Sequence, residues 1–240
     1  MLQQTIEKMN KMKLSAMAQS LEERLSKGDH RDLSIEDFIG LLIDDEYTTR
    51  SNRKIKKTLG RANFGPENAC IENIDYTISR SFSKADMLEY TKSTWITNKT
   101  NLIFTGLTGT GKTYLAEAIG KNACLMGYSA MKIRFKRLFE EIKISNLTGQ
   151  YLKYLDKLLK IDILILDDFL IQQVSGKEAA DLMEIIDSRM QLKSTIITSQ
   201  YPPAKWHERL TDLTLADGIC DRLIHSSQLY ILKGNSMRKK

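Results

Sequence analysis

The sequence predicts an α/β protein, a parallel sheet flanked by helices and preceded by a helical segment. Three observations predict it. An apolar run at residues 101–105 leads directly into GLTGTGKT at 106–113. A second apolar run, 161–166, ends in the carboxylates Asp167 and Asp168. From residue 101 onward, strand-like apolar runs alternate with helical ones, which is the pattern of a doubly wound parallel sheet.

Taken in order, residues 1–62 read as helical. Leu14, Met17, Ala18, Leu21 and Leu25 recur at helical spacing. Ser34 with Asp37 three residues later marks a helix start, and Ile35, Phe38, Ile39 and Leu42 mark one face. Residues 63–80, with Phe64-Gly65-Pro66, read as an extended connection, so the chain divides into a helical domain at 1–66 and a larger domain at 67–240. Residues 83–97 return to helix, with Met87, Leu88 and Trp95 as packing residues. Strands follow at 101–105, 129–135, 161–166, 194–199 and 228–232. Helices lie between them at 112–126, 136–145, 150–160 and 176–191, with short ones near 203–210 and 214–223.

The Gly-x-x-x-x-Gly-Lys-Thr spacing is that of a phosphate-binding loop. Gly106, Gly109 and Gly111 allow a tight turn in which backbone can approach anionic oxygens without Cβ clashes. Gly106, Leu107, Thr108, Gly109, Thr110, Gly111, Lys112 and Thr113 are therefore the expected cradle for a nucleotide. The helix opening at Lys112 adds the positive end of its dipole. The Lys112 ammonium suits the β- and γ-phosphates, and the Thr113 hydroxyl suits magnesium. Ile163, Leu164, Ile165 and Leu166 read as a strand buried on both faces. Its carboxyl end, where ligands bind in open α/β sheets, carries Asp167 for the metal ion and Asp168 to orient and deprotonate a water. Together the motifs imply binding of magnesium ATP and its hydrolysis. The strand ending Ile197-Thr198-Ser199, placed between the loop strand and the acidic strand, would bring Thr198 or Ser199 to the γ-phosphate, and the pattern leaves both open.

The chain has 240 residues with 42% hydrophobic and 28% charged content, which excludes global disorder. The net charge of +6 leans toward a polyanionic partner. Cys70, Cys124 and Cys220 lack metal-ligand spacing and read as reduced thiols, and His30, His207 and His225 are scattered. The first residues have no apolar leader core, and no run reaches the ~20 apolar residues of a membrane span. A cytoplasmic protein with no membrane partner is expected.

Residues 50–61 hold six basic side chains and no acidic one. On a helix, Arg50, Arg53, Lys54, Lys57 and Arg61 fall within a sector of roughly 100°, while Ile55, Leu59 and Ala62 point elsewhere. Such a stripe suits sequence-independent contacts to DNA phosphates. Lys132, Arg134, Lys136 and Arg137 form a second basic patch, and Tyr47 and Trp95 are read as buried packing aromatics rather than base-stacking ones.

The order phosphate loop, acidic strand, polar-tipped strand, then Asp221-Arg222 resembles AAA+ ATPases. More closely, the chain is similar to the IstB-like ATPases of bacterial insertion sequences. The likeness lies in LSIEDFIGLLIDDEYTTRSNRKIKK, CIENIDY, DILILDDF, STIITSQYPPAKWHERL, LADGICDRLIH and LKGNSMRK. DnaC-type helicase loaders share the core pattern but match these strings less well. The resemblance implies an ATPase that forms homo-oligomers on double-stranded DNA and engages the transposase of the same element. It implies the phosphate-loop roles for Lys112 and Thr113, magnesium for Asp167 and water activation for Asp168. It makes Arg222 the arginine-finger or sensor candidate, with Arg238 a weaker one and an ion pair to Asp221 the plain alternative for Arg222. Two departures stand out. Leu170 occupies a place where the family usually has Gly, and Asp168 one where many AAA+ ATPases have Glu. The rival expectations are a helicase loader and a non-hydrolysing ATP-dependent scaffold.

Overall fold

The computed structural model describes residues 1–29, 31–65, 69–76, 81–234 and 236–237. Two compact units divide the chain, Met1–Lys57 and Thr58–Lys240. The division falls within a helix rather than in the stretch at 63–80, of which 66–68 and 77–80 lie outside the described residues. Residues beyond Lys57 are tied into the second unit: Ala62 is fully buried there, and its carbonyl accepts from the Lys132 amide at 2.8 Å.

The first unit contains α1 (Leu2–Lys11), α2 (Ser15–Lys27) and most of α3 (Ile35–Arg61). Its small core is Ile6, Met9 and Ala18, with Leu14, Met17 and Leu21 packed on it. The link from α2 to α3 is polar. Glu46 accepts from the Met17 amide at 2.9 Å and from Arg50 at 2.6 Å, while Asp45 accepts from Ser20 at 2.5 Å and Arg24 at 3.0 Å. Ser34 starts α3 as expected, its hydroxyl accepting from the Asp37 amide at 3.0 Å. The expected apolar face of this helix is not a core face: Leu42 is buried, but Ile35 and Ile39 are exposed. Tyr47 is also exposed, against the expectation of a packing role.

The second unit is built on five parallel strands: β1 (Asn101–Gly106), β2 (Ala130–Arg134), β3 (Ile163–Asp167), β4 (Ser194–Ser199) and β5 (Ser227–Leu232). Their spatial order is β2-β3-β4-β1-β5, so β4 lies between the loop strand and the acidic strand, as expected. Helices α4 (Lys84–Tyr90), α5 (Thr94–Thr97), α6 (Lys112–Leu125), α7 (Phe135–Leu147), α8 (Tyr151–Lys160), α9 (Gly176–Arg189) and α10 (Leu213–His225) complete it. The inner strands are apolar on both faces because helices cover both: Leu102, Ile103, Phe104 and Ile163, Leu164, Ile165 are all fully buried. Trp95 and Met87 are buried as expected, whereas Leu88 is exposed.

Two features fix α6 and its phosphate-loop end against the sheet. Gly120 lets the helix approach so closely that a Cβ there would stand 2.8 Å from Ile165 Cδ1. Glu117, buried on the same helix, pairs with Lys132 of β2 and accepts from the Gly65 amide at 3.1 Å. Lys132 is thereby removed from the second basic patch, and Arg137 pairs with Glu141 at 2.9 Å.

Candidate active site

The carboxyl ends of β1, β3 and β4 meet at one edge of the sheet. Strand β1 ends at Gly106, whose φ of +145° only glycine adopts readily, and a Cβ there would lie 2.3 Å from the Leu232 carbonyl oxygen of β5. The loop then turns through Gly109 and Gly111, both at positive φ, and Gly111 caps α6. Thr110 closes the turn with a 2.9 Å bond to the Leu107 carbonyl. Lys112 is folded back and largely buried, donating to the Gly106 and Leu107 carbonyls at 2.7 and 2.8 Å. Leu107 and Thr108 are exposed at the tip.

Asp167, buried at the end of β3, accepts at Oδ1 from the Thr113 hydroxyl at 2.7 Å and the Thr198 hydroxyl at 2.6 Å. The same Thr198 oxygen accepts from the Asp168 amide at 3.1 Å. Thr198 therefore bridges both acidic positions. Ser199 turns away: its hydroxyl donates to the Phe169 carbonyl at 2.9 Å and accepts from the Tyr201 amide at 3.2 Å. Of the two sensing candidates, Thr198 is the one brought to the acidic pair. Thr113 and Asp167 present hard oxygen donors side by side, the donor type magnesium takes when phosphates and water complete its shell.

Over the loop lies a cavity of about 410 Å3, bordered by Thr108, Gly109, Lys112, Thr113 and Asp168. Its other wall escaped sequence reasoning. It comes from Asn73, Ile74 and Asp75, from Tyr114 on α6, from Gln200 beyond β4, and from Met237. The CIENIDY and KGNSMRK strings were the only signal, and neither carries a motif that names a ligand. The terminal segment leans on the loop: the Met237 amide donates to the Gly109 carbonyl at 2.8 Å, and a Cβ on Gly109 would sit 2.2 Å from Ser236 Oγ. Arg238 and His30 lie outside the described residues.

The remaining expected residues are dispersed. Arg222, on α10, donates to Asp187 of α9 at 2.7 Å and to the Gly218 carbonyl at 3.2 Å; its ion-pair partner is not Asp221. On α3, Arg50, Arg53, Lys54, Lys57 and Arg61 are all exposed. Arg50, however, is committed to Glu46 and to the Lys13 carbonyl, at 2.6 Å each, so it serves the packing of the first unit. No helix of the described residues is long and apolar enough to cross a membrane.

Residues 7–240 match the model of the IstB-like ATP binding protein family. The chain belongs to this family. It is 35% identical over 235 residues to a protein of Sinorhizobium fredii named for ATP binding in an insertion sequence, covering 98% of this chain and 96% of that one. A similarly named insertion-sequence protein of Pseudomonas fluorescens is 35% identical over 202 residues, 84% of this chain and 87% of its own. Among solved structures, the crystal structure of the DnaC helicase loader superposes with a TM-score of 0.59 at 24% identity, covering 70% of this chain and 98% of that chain. That likeness establishes the P-loop AAA+ fold. The family is one described as ATP-binding, and the cavity lies against the GLTGTGKT loop and Lys112.

Proposed function

We propose that the protein is an ATPase that assembles as a homo-oligomer on double-stranded DNA and engages the transposase of its element. The observation that carries the hydrolytic reading is the bridge of Thr113, Asp167, Thr198 and Asp168 beside the phosphate loop. When ATP enters, its phosphates replace the Gly106 and Leu107 carbonyls as partners of Lys112. Thr113 and Asp167 would hold magnesium, which would supply positive charge against the triphosphate oxygens. Asp168 accepts a proton from the water whose oxygen bonds to the γ-phosphorus as the bond to the β–γ bridging oxygen breaks. Thr198 holds the two carboxylate positions in register for this step. Arg222 of a neighbouring copy supplies positive charge to the γ-phosphate, after releasing Asp187.

The helical unit ahead of the sheet is the proposed DNA- and partner-binding part, with Arg53, Lys54 and Lys57 on the phosphates; Arg61, proposed for the same kind of contact, belongs to the second unit. Phosphate release measured with and without double-stranded DNA tests the reading. Lys112→Ala is expected to lose nucleotide binding or turnover by about tenfold or more, and Asp168→Asn to bind ATP but stall. Nucleotide binding without turnover in the unmodified protein would instead identify an ATP-dependent scaffold.

A further inference from the structure

The turn after β3 holds two non-glycine residues in the left-handed region, Asp168 at φ +58° and Leu170 at φ +54°. Leu170 is fully buried, so its side chain offers no release through solvent. Such residues are strained by about 1 kcal/mol or more each, and persist only where the surroundings over-determine them. The surroundings here come from two directions. From β4, the Thr198 carbonyl accepts from the Phe169 amide at 2.8 Å, and Ser199 donates to the Phe169 carbonyl. From the far side comes Arg209. Its Nε donates to the Leu170 carbonyl at 3.2 Å and one terminal nitrogen donates to the Ile171 carbonyl at 2.6 Å. Its own carbonyl accepts from the Val174 amide at 2.9 Å, and the Thr211 amide returns a bond to the Val174 carbonyl at 3.2 Å. Arg209 is itself held, with its guanidinium carbon 4.4 Å from the Tyr201 ring centroid.

We propose that Arg209 is a positioning residue for Asp168, clamping the strained Leu170–Ile171 backbone so that the Asp168 carboxylate stays aimed at the nucleotide cavity. A guanidinium presents its donors in a rigid fork that spans two successive carbonyls, which a single ammonium does not. Without the fork, Leu170 relaxes out of the left-handed region and carries Asp168, two residues away, with it. Glycine at 170 needs no such restraint, because it occupies that region freely. The need for Arg209 is therefore tied to the leucine that stands at 170.

The inference rests on the role given above to Asp168, so two readouts are used on the full chain. The first is magnesium-ATP turnover with double-stranded DNA for Arg209→Met, which keeps the apolar stem, for Arg209→Lys, for Leu170→Gly, and for the Leu170→Gly/Arg209→Met double variant. The second is amide hydrogen exchange across residues 168–174. Expected is a kcat loss of about tenfold or more in Arg209→Met, with KM and nucleotide affinity within about twofold and only partial recovery in Arg209→Lys. On the Leu170→Gly background the same replacement is expected to cost no more than about threefold. Exchange at 168–174 should rise in Arg209→Met while that of the phosphate loop stays unchanged. Wild-type kcat in Arg209→Met, equal losses on both backgrounds, or unaltered exchange would each overturn the proposal. Absence of turnover in the unmodified protein would remove the hydrolytic reading alone, and the exchange comparison then decides whether Arg209 holds the turn.

Discussion

Thr198 donates to Asp167 at 2.6 Å while accepting from the Asp168 backbone at 3.1 Å, so one buried hydroxyl joins the two acidic positions of the site. Both of its bonds run to neighbours in β3 or just past it. Its removal leaves a buried carboxylate with one donor fewer and an amide without its acceptor.

Thr198→Val, which keeps the shape and deletes the hydroxyl, is expected to lower stability by about 1–3 kcal/mol. Turnover should fall by about tenfold or more with nucleotide affinity nearly kept. Ser199→Ala should cost less turnover, because Ser199 bonds the Phe169 carbonyl rather than an acidic side chain. Chemical denaturation with phosphate-release kinetics on both variants checks the ranking, and the reverse order would reassign the sensing role.

The basic residues of α3 divide into structural and outward-facing groups. Replacing Arg53, Lys54 and Lys57 by Gln should weaken DNA binding and flatten the dependence of log K on log salt, by about 0.9 for each DNA phosphate that is no longer neutralised. Arg50→Gln should instead loosen the first unit, since Arg50 holds Glu46 and the Lys13 carbonyl. DNA titrations at several salt concentrations, with melting curves beside them, separate the two effects. An unchanged slope in the triple variant would place the DNA elsewhere.

Arg222→Ala should leave nucleotide affinity close to wild type and abolish stimulated turnover. Mixing it with Asp168→Asn protein should restore part of the activity, because interfaces then arise that combine an intact Asp168 with an intact Arg222. No recovery on mixing would confine Arg222 to its own subunit. Asp187→Ala, which removes the 2.7 Å partner, should not lower turnover.

The pairing of α2 with α3 carries an acid sensitivity. Hydrogen bonds from Ser20 and then Arg24 hold the Asp45 carboxyl below its ordinary range, and the Met17 amide followed by Arg50 does the same for Glu46. Carboxylates with depressed folded values contribute stability that is present above about pH 4.5 and lost as pH falls through those folded values. Amide protection factors in α2 and the first half of α3, taken relative to the intrinsic exchange rate at each pH, should therefore fall in acid, and the acid-dependent part should shrink in Asp45→Asn. Equal acid sensitivity in that variant would point to other groups.

The sheet was legible because its inner strands are apolar on both faces and end in residues of distinctive chemistry. The loop strand and the acidic strand follow from such runs, whereas the insertion of β4 between them is a matter of strand order that apolar runs do not carry. The plain alternative for Arg222, an ion pair with Asp221, is not the pair that forms: neighbours on a helix diverge by about 100°, and Asp187 of α9 lies within reach instead. Lys132 looked like a surface cation, but alternation along β2 turns it toward Glu117. In α3 the polar residues Asp45 and Glu46 bind α2, which a hydrophobic periodicity does not register. The wall formed by Asn73, Asp75 and Met237 comes from short 3-10 turns and irregular backbone, too brief for a helical or strand period to be read.

At Gly106 the absence of a side chain has a mechanical consequence. Because the Leu232 carbonyl occupies the space where a Cβ would stand, the outermost strand packs directly against the start of the nucleotide loop. A lesion that peels this strand from its neighbour would weaken the grip on nucleotide without touching a single ligand-facing atom. A fall in affinity after trimming or loosening that strand is thus a report on leverage through the backbone rather than on direct touch.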